Sequence, residues 1–86
     1  LIHIIQKNNL TEINFLIAKV EVSPAARCRF YDKKGNQLNI NSYTFYEFQK
    51  IISNDSIAKN ENSSKLKIYR RDKNGKYYVY LELEPD

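Results

Sequence analysis

The side chains that could perform catalysis are few in this 86-residue sequence, which contains one histidine, one cysteine and ten acidic residues. A nucleophilic site needs a base within hydrogen-bond reach of a Ser, Thr or Cys. His3 lies in an apolar run near the start of the chain, and no pattern orients it towards Cys28. The acidic residues are scattered and do not form a general acid and base couple. We therefore predict a protein that is not an enzyme and has no catalytic residues.

Metal and cofactor sites are not indicated either. One His and one Cys cannot supply the usual ligand set of a zinc or other transition-metal site. Gly35 and Gly75 both fall in predicted hairpin turns, which leaves no glycine-rich loop for a phosphate. We expect no metal and no cofactor, and we expect Cys28 to be a buried core residue.

Basic and aromatic residues recur on the predicted outward side of two hairpins. Tyr rings exposed on a sheet can stack on bases while Lys and Arg bind phosphates. The leading prediction is therefore a module that binds nucleic acid, DNA or RNA. An ordinary solvated face, neutralised by Glu82 and Glu84, stays open as the alternative. The predicted contacts are Arg27, Arg29, Lys67, Tyr69, Arg71, Tyr78 and Tyr80.

A protein–protein interaction or inhibitor domain, with a partner protein or as a homodimer, is the competing prediction. Tyr43 and Tyr46 lie beside a predicted helix start and off its buried side, and Tyr is enriched at protein interfaces. An open sheet edge could also accept a partner strand. A third alternative is a fragment of a larger enzyme that only positions a partner domain.

The hairpin over residues 65–84 is the element that would position most of these side chains. Asn74-Gly75 between two alternating runs predicts a two-residue type I′ turn. The resulting register places the apolar side chains on one face and the basic and aromatic ones on the other. The outward pairs are Lys65 with Glu84, Lys67 with Glu82, Tyr69 with Tyr80, and Arg71 with Tyr78.

A second hairpin is predicted from residues 26–31 and 36–41, around a three-residue loop with Gly35 in a left-handed conformation. It pairs Phe30 with Leu38 and Cys28 with Ile40. Residues 10–22 precede it and predict one long central strand. The alternation along this strand changes phase at Leu16-Ile17, which indicates a bulge or burial on both faces. Residues 1–7 are either a strand or the end of a helix.

A capping box at Thr44 and Glu47 predicts a helix that runs to about Ser53, with Phe45, Phe48 and Ile52 on its buried side. Residues 54–64, rich in Asn and Ser, are predicted to be a flexible loop. The whole pattern predicts an α+β fold: a single small antiparallel sheet of about five strands, in the order β-β-β-α-β-β, with one helix packed on one face.

Length and composition predict one domain over residues 1–86. The absence of Met indicates a processed form or a piece of a longer chain. A net charge of +4 permits binding to an anionic partner without requiring it. No run reaches the length of a membrane span, and one unpaired cysteine is compatible with a reducing compartment, so we expect a cytoplasmic protein without membrane contact.

Overall fold

The computed structural model describes residues 12–86, which form two antiparallel sheets and one turn of 3-10 helix. The strands are β1 (Ile13–Leu16), β2 (Lys19–Val22), β3 (Cys28–Tyr31), β4 (Ser56–Lys59), β5 (Leu66–Arg71) and β6 (Tyr77–Leu83), and the 3-10 turn spans Glu47–Gln49. One sheet has the order β1-β4-β5-β6, and the other pairs β2 with β3. Within residues 12–86 the protein is all-β, so the predicted α+β fold with one helix-covered sheet is wrong.

The predicted long strand over residues 10–22 is wrong, because the chain changes sheets where the alternation changes phase. β1 pairs with β4 and β2 pairs with β3. Between them, the amide of Ile17 donates to the carbonyl of Asp55 at 3.0 Å, and the amide of Ala18 donates to the carbonyl of Tyr31 at 2.8 Å. The buried side chain of Ile17 anchors this crossing in the core. Residues 1–7, including His3, lie outside the described residues.

The turn of the second predicted hairpin is confirmed, but its far arm is not a strand. Gly35 has φ +86°, and the amide of Leu38 donates to the carbonyl of Phe30 at 2.9 Å. Beyond this contact, residues 38–41 form no strand, and β3 pairs instead with β2. The strand that pairs with β3 along its whole length is therefore β2, which precedes it in the chain.

The predicted helix over residues 44–53 is wrong, because its first residues pair as an extended strand with the start of β3. The amide of Cys28 donates to the carbonyl of Phe45 at 2.8 Å. The hydroxyl of Thr44 donates to a carboxylate oxygen of Asp86 at 2.5 Å and caps no helix. A single 3-10 turn follows and ends at Lys50, which has φ +58°.

The predicted flexible loop over residues 54–64 contains β4, which lies inside the large sheet between β1 and β5. Ile57 has no exposed surface and faces Ile68 of β5. Ser, Ala and Lys have low strand propensity, but a strand that is paired on both edges is stabilised by its neighbours rather than by intrinsic preference. The loop prediction is wrong for residues 56–59 for this reason.

The hairpin of β5 and β6 is confirmed at its open end and differs near its turn. Leu66 pairs with Leu83 and Ile68 pairs with Leu81, as predicted. A β-bulge follows, so that Tyr69 pairs with Val79 and Tyr80 is the extra residue.

The turn itself is a three-residue loop rather than a two-residue one. Gly75 has φ +82°, and its amide donates to the carbonyl of Asp72 at 3.0 Å. The Asp72 carboxylate accepts hydrogen bonds from the amides of Asn74 (2.8 Å) and Lys76 (2.9 Å). Asp32 makes the same pattern of bonds in the other hairpin turn.

One hydrophobic core joins the two sheets. Phe30 of the small sheet meets Phe45 with ring centroids 4.9 Å apart, in an edge-to-face arrangement. The outer face of each sheet therefore points away from this shared core. The buried apolar side chains are Ile17, Phe30, Tyr43, Phe45, Ile51, Ile57, Leu66 and Ile68. No helix in residues 12–86 is long and apolar enough to cross a membrane.

Candidate nucleic-acid interface

The outer face of the four-stranded sheet carries three of the predicted contact residues. Lys67, Tyr69 and Arg71 alternate along β5 with Leu66 and Ile68, which have no exposed surface. Because successive side chains of a strand point to opposite faces, these three point away from the core. They share one surface, as the sequence predicted.

The β-bulge decides which tyrosines join them. Arg71 pairs with Tyr77, and its guanidinium carbon lies 5.7 Å from the centre of that ring. Tyr69 pairs with Val79 instead of Tyr80. Tyr78 pairs with Arg70 and therefore lies on the other face. Tyr77, which was not predicted, takes the place of Tyr78 on the outer face.

Tyr80 is a structural residue that holds Arg70. Its ring centre lies 3.6 Å from the Arg70 guanidinium carbon, and its hydroxyl donates to the carbonyl of Gln49 at 2.8 Å. Arg70 donates to both carboxylate oxygens of Asp55, at 3.0 and 2.8 Å, and these bonds raise the guanidinium pKa further. Arg70 and Tyr80 therefore make their contacts within the fold, and Tyr80 does not lie on the outer face with the other predicted contacts.

The outer face is shaped as a shallow concavity of about 400 Å³. Tyr77 is 48% exposed and Leu16 is 54% exposed, so apolar surface remains in contact with water there. The concavity is lined by Asn14, Leu16, Ser56, Ala58, Tyr69 and Tyr77.

The two charged side chains that β5 places on this face, Lys67 and Arg71, are both positive. Lys67 faces Glu82 across the strands, as predicted, but Glu82 forms its ion pair with Lys65 at 3.5 Å. The predicted pair of Lys65 with Glu84 is not formed, and Glu84 instead accepts a hydrogen bond from the hydroxyl of Ser64 at 3.2 Å. Lys67 makes no ion pair with any carboxylate of residues 12–86.

Arg27 and Arg29 lie apart from this surface, on the small sheet. Arg29 belongs to β3 and faces Glu21 of β2, while Arg27 forms an isolated antiparallel bridge with Tyr46. Since the outer faces of the two sheets point away from a shared core, five of the seven predicted residues divide between two surfaces, and Tyr78 and Tyr80 belong to neither.

The two predicted protein-contact tyrosines have different environments. Tyr43 is 7% exposed and its hydroxyl donates to the carbonyl of Ser64, so its ring offers no contact surface. Tyr46 is half-buried and stacks on Phe48, with ring centroids 5.4 Å apart and ring planes 17° apart. Phe48 is 74% exposed, although the sequence placed it on the buried side of a helix.

The surroundings of Cys28 disfavour its reactive form. Burial raises the pKa of the Cys28 thiol, and the nearby Glu47 carboxylate raises it further. A raised thiol pKa disfavours the thiolate, which is the reactive form. Within residues 12–86 there is no cluster of His, Cys, Asp or Glu able to hold a metal ion.

The chain matches no protein family model, no curated protein and no solved structure.

Proposed function

We propose that the protein is a non-enzymatic module that binds single-stranded nucleic acid on the outer face of its four-stranded sheet. The observation that carries this proposal is the shared exposed face of Lys67, Tyr69, Arg71 and Tyr77. Tyrosine rings stack on unpaired bases of any sequence, and neighbouring cations bind the phosphates. We further propose a cytoplasmic location, on the basis of the single unpaired Cys28.

The sheet supports this role because it holds the contact side chains in advance. Lys67, Tyr69 and Arg71 belong to β5, which has a neighbouring strand on each side. Their backbone is therefore fixed before a ligand arrives, and binding loses less conformational entropy than binding by a loop would. Stacking is tolerant of sequence, so we expect weak base preference and strong dependence on salt.

The test is the fluorescence anisotropy of labelled single-stranded oligonucleotides across a range of salt concentrations. We expect Tyr77→Ala to weaken binding by about 1–3 kcal/mol through lost stacking. We expect Arg71→Ala to weaken binding and to reduce the slope of log affinity against log salt by about 0.7, because one phosphate contact is lost.

Tyr78→Ala is the matched control. Tyr78 is next to Tyr77 in β6, is equally exposed at 47% and points to the other face. We expect its removal to leave affinity unchanged. No binding of the wild-type chain at low salt, or an equal loss in both tyrosine variants, would contradict the proposal.

A homodimer formed through the same face is the second candidate function. The observation that favours it is the exposure of Leu16 (54%) and Val79 (47%) on this face, since exposed apolar groups are common in interfaces. Sedimentation of wild type and of Leu16→Glu tests it. A dimer that the substitution dissociates, in a chain that binds no oligonucleotide, would favour this function over the first.

A further inference from the structure

The stacked pair of Tyr46 and Phe48 lies beside Arg27 and Arg29 on the small sheet. It is separate from the outer face of the four-stranded sheet. Phe48 packs one side of its ring on Tyr46, and the residue is still 74% exposed to water. A globular chain with a single small core gains by burying a phenylalanine, and this one is instead held on the surface. Its ring therefore offers an open apolar face to a ligand.

The local backbone holds the two rings in place. A side-chain oxygen of Gln49 accepts a hydrogen bond from the Tyr46 amide at 2.9 Å, and the Gln49 amide donates to the Tyr46 carbonyl at 3.0 Å. The left-handed conformation of Lys50 then ends the 3-10 turn. The backbone that carries the two rings is therefore fixed before any ligand binds, which lowers the entropy lost on binding.

Arg27 is the cation closest to this pair in the strand register. Two backbone hydrogen bonds, of 2.8 and 2.9 Å, flank the bridge between Arg27 and Tyr46, one on each side. This is the pattern of a non-hydrogen-bonded antiparallel pair, in which the two side chains lie close together on the same face. Arg29 is two residues further along the strand and shares that face.

The acids near this surface leave the two arginines available. Glu21 is engaged by Lys19 at 3.5 Å and by the hydroxyl of Tyr31 at 3.2 Å. Neither Arg27 nor Arg29 forms an ion pair with a carboxylate of residues 12–86. An open aromatic ring beside unpaired guanidinium groups is complementary to an unpaired base and its phosphate.

We infer that the small sheet carries a second site for single-stranded nucleic acid, in which one unpaired base stacks on Phe48 and an adjacent phosphate binds Arg27. This inference rests on the proposed nucleic-acid-binding function and adds a second surface to it. Since the two faces belong to different sheets, each can bind its own short strand. One chain would then bind two short strands at once or guide one longer strand around itself.

The test is a titration of the whole chain with a short labelled oligothymidylate at low salt, followed by stoichiometry and anisotropy. We expect two oligonucleotides per chain for wild type and one for Phe48→Leu, which keeps apolar surface but loses the aromatic face. Phe48→Tyr should retain two. At the small-sheet site, Arg27→Ala should weaken binding about 10-fold or more, a loss typical of a charged contact to phosphate.

Two further variants separate this inference from the proposed function. Ile52→Ala removes another exposed apolar side chain (52%) from the same segment and should change nothing. Tyr77→Ala should also reduce the stoichiometry to one, by removing the other site. One oligonucleotide per wild-type chain, lost with Tyr77→Ala and unaffected by Phe48→Leu, would overturn the inference and leave the function intact.

Absence of binding by wild type would overturn both. A Phe48→Leu variant that binds oligonucleotide normally but fails to self-associate or to bind a protein would also overturn the inference, and would assign this surface to protein contact. Circular dichroism should show all variants folded, because every substituted side chain in this test is on the surface or half-buried.

Discussion

Asp55 accepts three hydrogen bonds on a side chain that is almost fully buried. Two come from Arg70, at 3.0 and 2.8 Å, and one comes from the amide of Ile52, at 2.9 Å. Arg70 also donates to the carbonyl of Lys50 at 2.7 Å. The pair thus ties β5 to the segment between the 3-10 turn and β4, and each charge depends on the other for compensation.

Asp55→Asn should destabilise the protein by about 3 kcal/mol, because it leaves the partly buried Arg70 guanidinium, whose side chain is 21% exposed, without its charged partner. Urea denaturation of wild type and variant measures the difference. The control is Glu82→Gln, which breaks an exposed ion pair with Lys65 and should cost at most about 1 kcal/mol. Similar small losses in both variants would contradict the role assigned to Asp55.

Lys59 is a buried amine whose partners are neutral. The residue is 2% exposed, and its Nζ donates to the carbonyls of Ser63 (3.0 Å) and Asn60 (3.3 Å). Burial lowers the pKa of this amine below its ordinary value of 10.5. The unfolded chain therefore holds the proton more tightly than the folded chain does, so the charged form opposes folding.

We expect the free energy of unfolding of wild type, minus that of Lys59→Met, to rise with pH between the lowered pKa and 10.5. The difference between the two proteins cancels the contribution of the other titrating groups. Denaturation of both proteins at several alkaline pH values measures it. A difference that stays constant or falls over this range would show that burial does not lower the Lys59 pKa.

At the level of the elements, β4 and the 3-10 turn show how neighbours decide secondary structure. Ile52 was predicted on the buried side of a helix and is 52% exposed, while Ile57 was predicted in a loop and has no exposed surface. Ile57 lies in a strand flanked by β1 and β5, where both edges are paired. These two isoleucines give a matched comparison of buried and exposed positions.

Ile57→Ala should destabilise the protein by about 2–5 kcal/mol, as expected for a large-to-small change in a core. Ile52→Ala should change stability by no more than about 1 kcal/mol, since its side chain stays largely in water. Urea denaturation of both variants measures the two losses. In the wild-type protein, the β4 amides should also exchange their hydrogens slowly. Greater damage from Ile52→Ala would contradict the assignment of Ile57, rather than Ile52, to the core.

For the whole molecule, the two sheets depend on one core. A two-stranded sheet alone is marginally stable in water, so β2 and β3 need the packing of Phe30 against residues outside the pair. Phe30 is 1% exposed and contacts Phe45. The two sheets should therefore unfold together as a single cooperative unit.

Phe30→Leu should lower the denaturation midpoint of both sheets by the same amount, because the packing that Phe30 loses belongs to the core that both sheets share. Residue-specific amide signals in β3 and in β5, followed across a urea titration by NMR, measure the two midpoints. Loss of β3 protection at lower urea than β5 protection, in wild type or in the variant, would show that the sheets unfold separately.

Local chemistry in the sequence was sufficient for several features. Gly35 and Gly75 take the positive φ that each turn requires, and each turn is closed by the carboxylate of the aspartate three residues earlier. The alternation in β5 placed Lys67, Tyr69 and Arg71 on one outer face. The change of phase at Ile17 marked the point where the chain leaves one sheet for the other, although the pattern predicted a bulge or burial on both faces of one strand. These features depend on residues close together in the chain, so a single sequence contains them.

Contacts between distant segments decided the rest. β3 pairs along its length with β2 and meets residues 36–41 only at the bridge between Tyr31 and Gln37, while β4 gains its strand conformation from neighbours on both sides. One inserted residue at the bulge exchanged Tyr77 for Tyr78 on the proposed binding face, because side chains in a strand alternate and a shift of one position reverses them. The sequence alone determined the types of the residues and their local alternation. Only the tertiary structure decided which of them share a surface, since that depends on long-range pairing energies that local patterns do not contain.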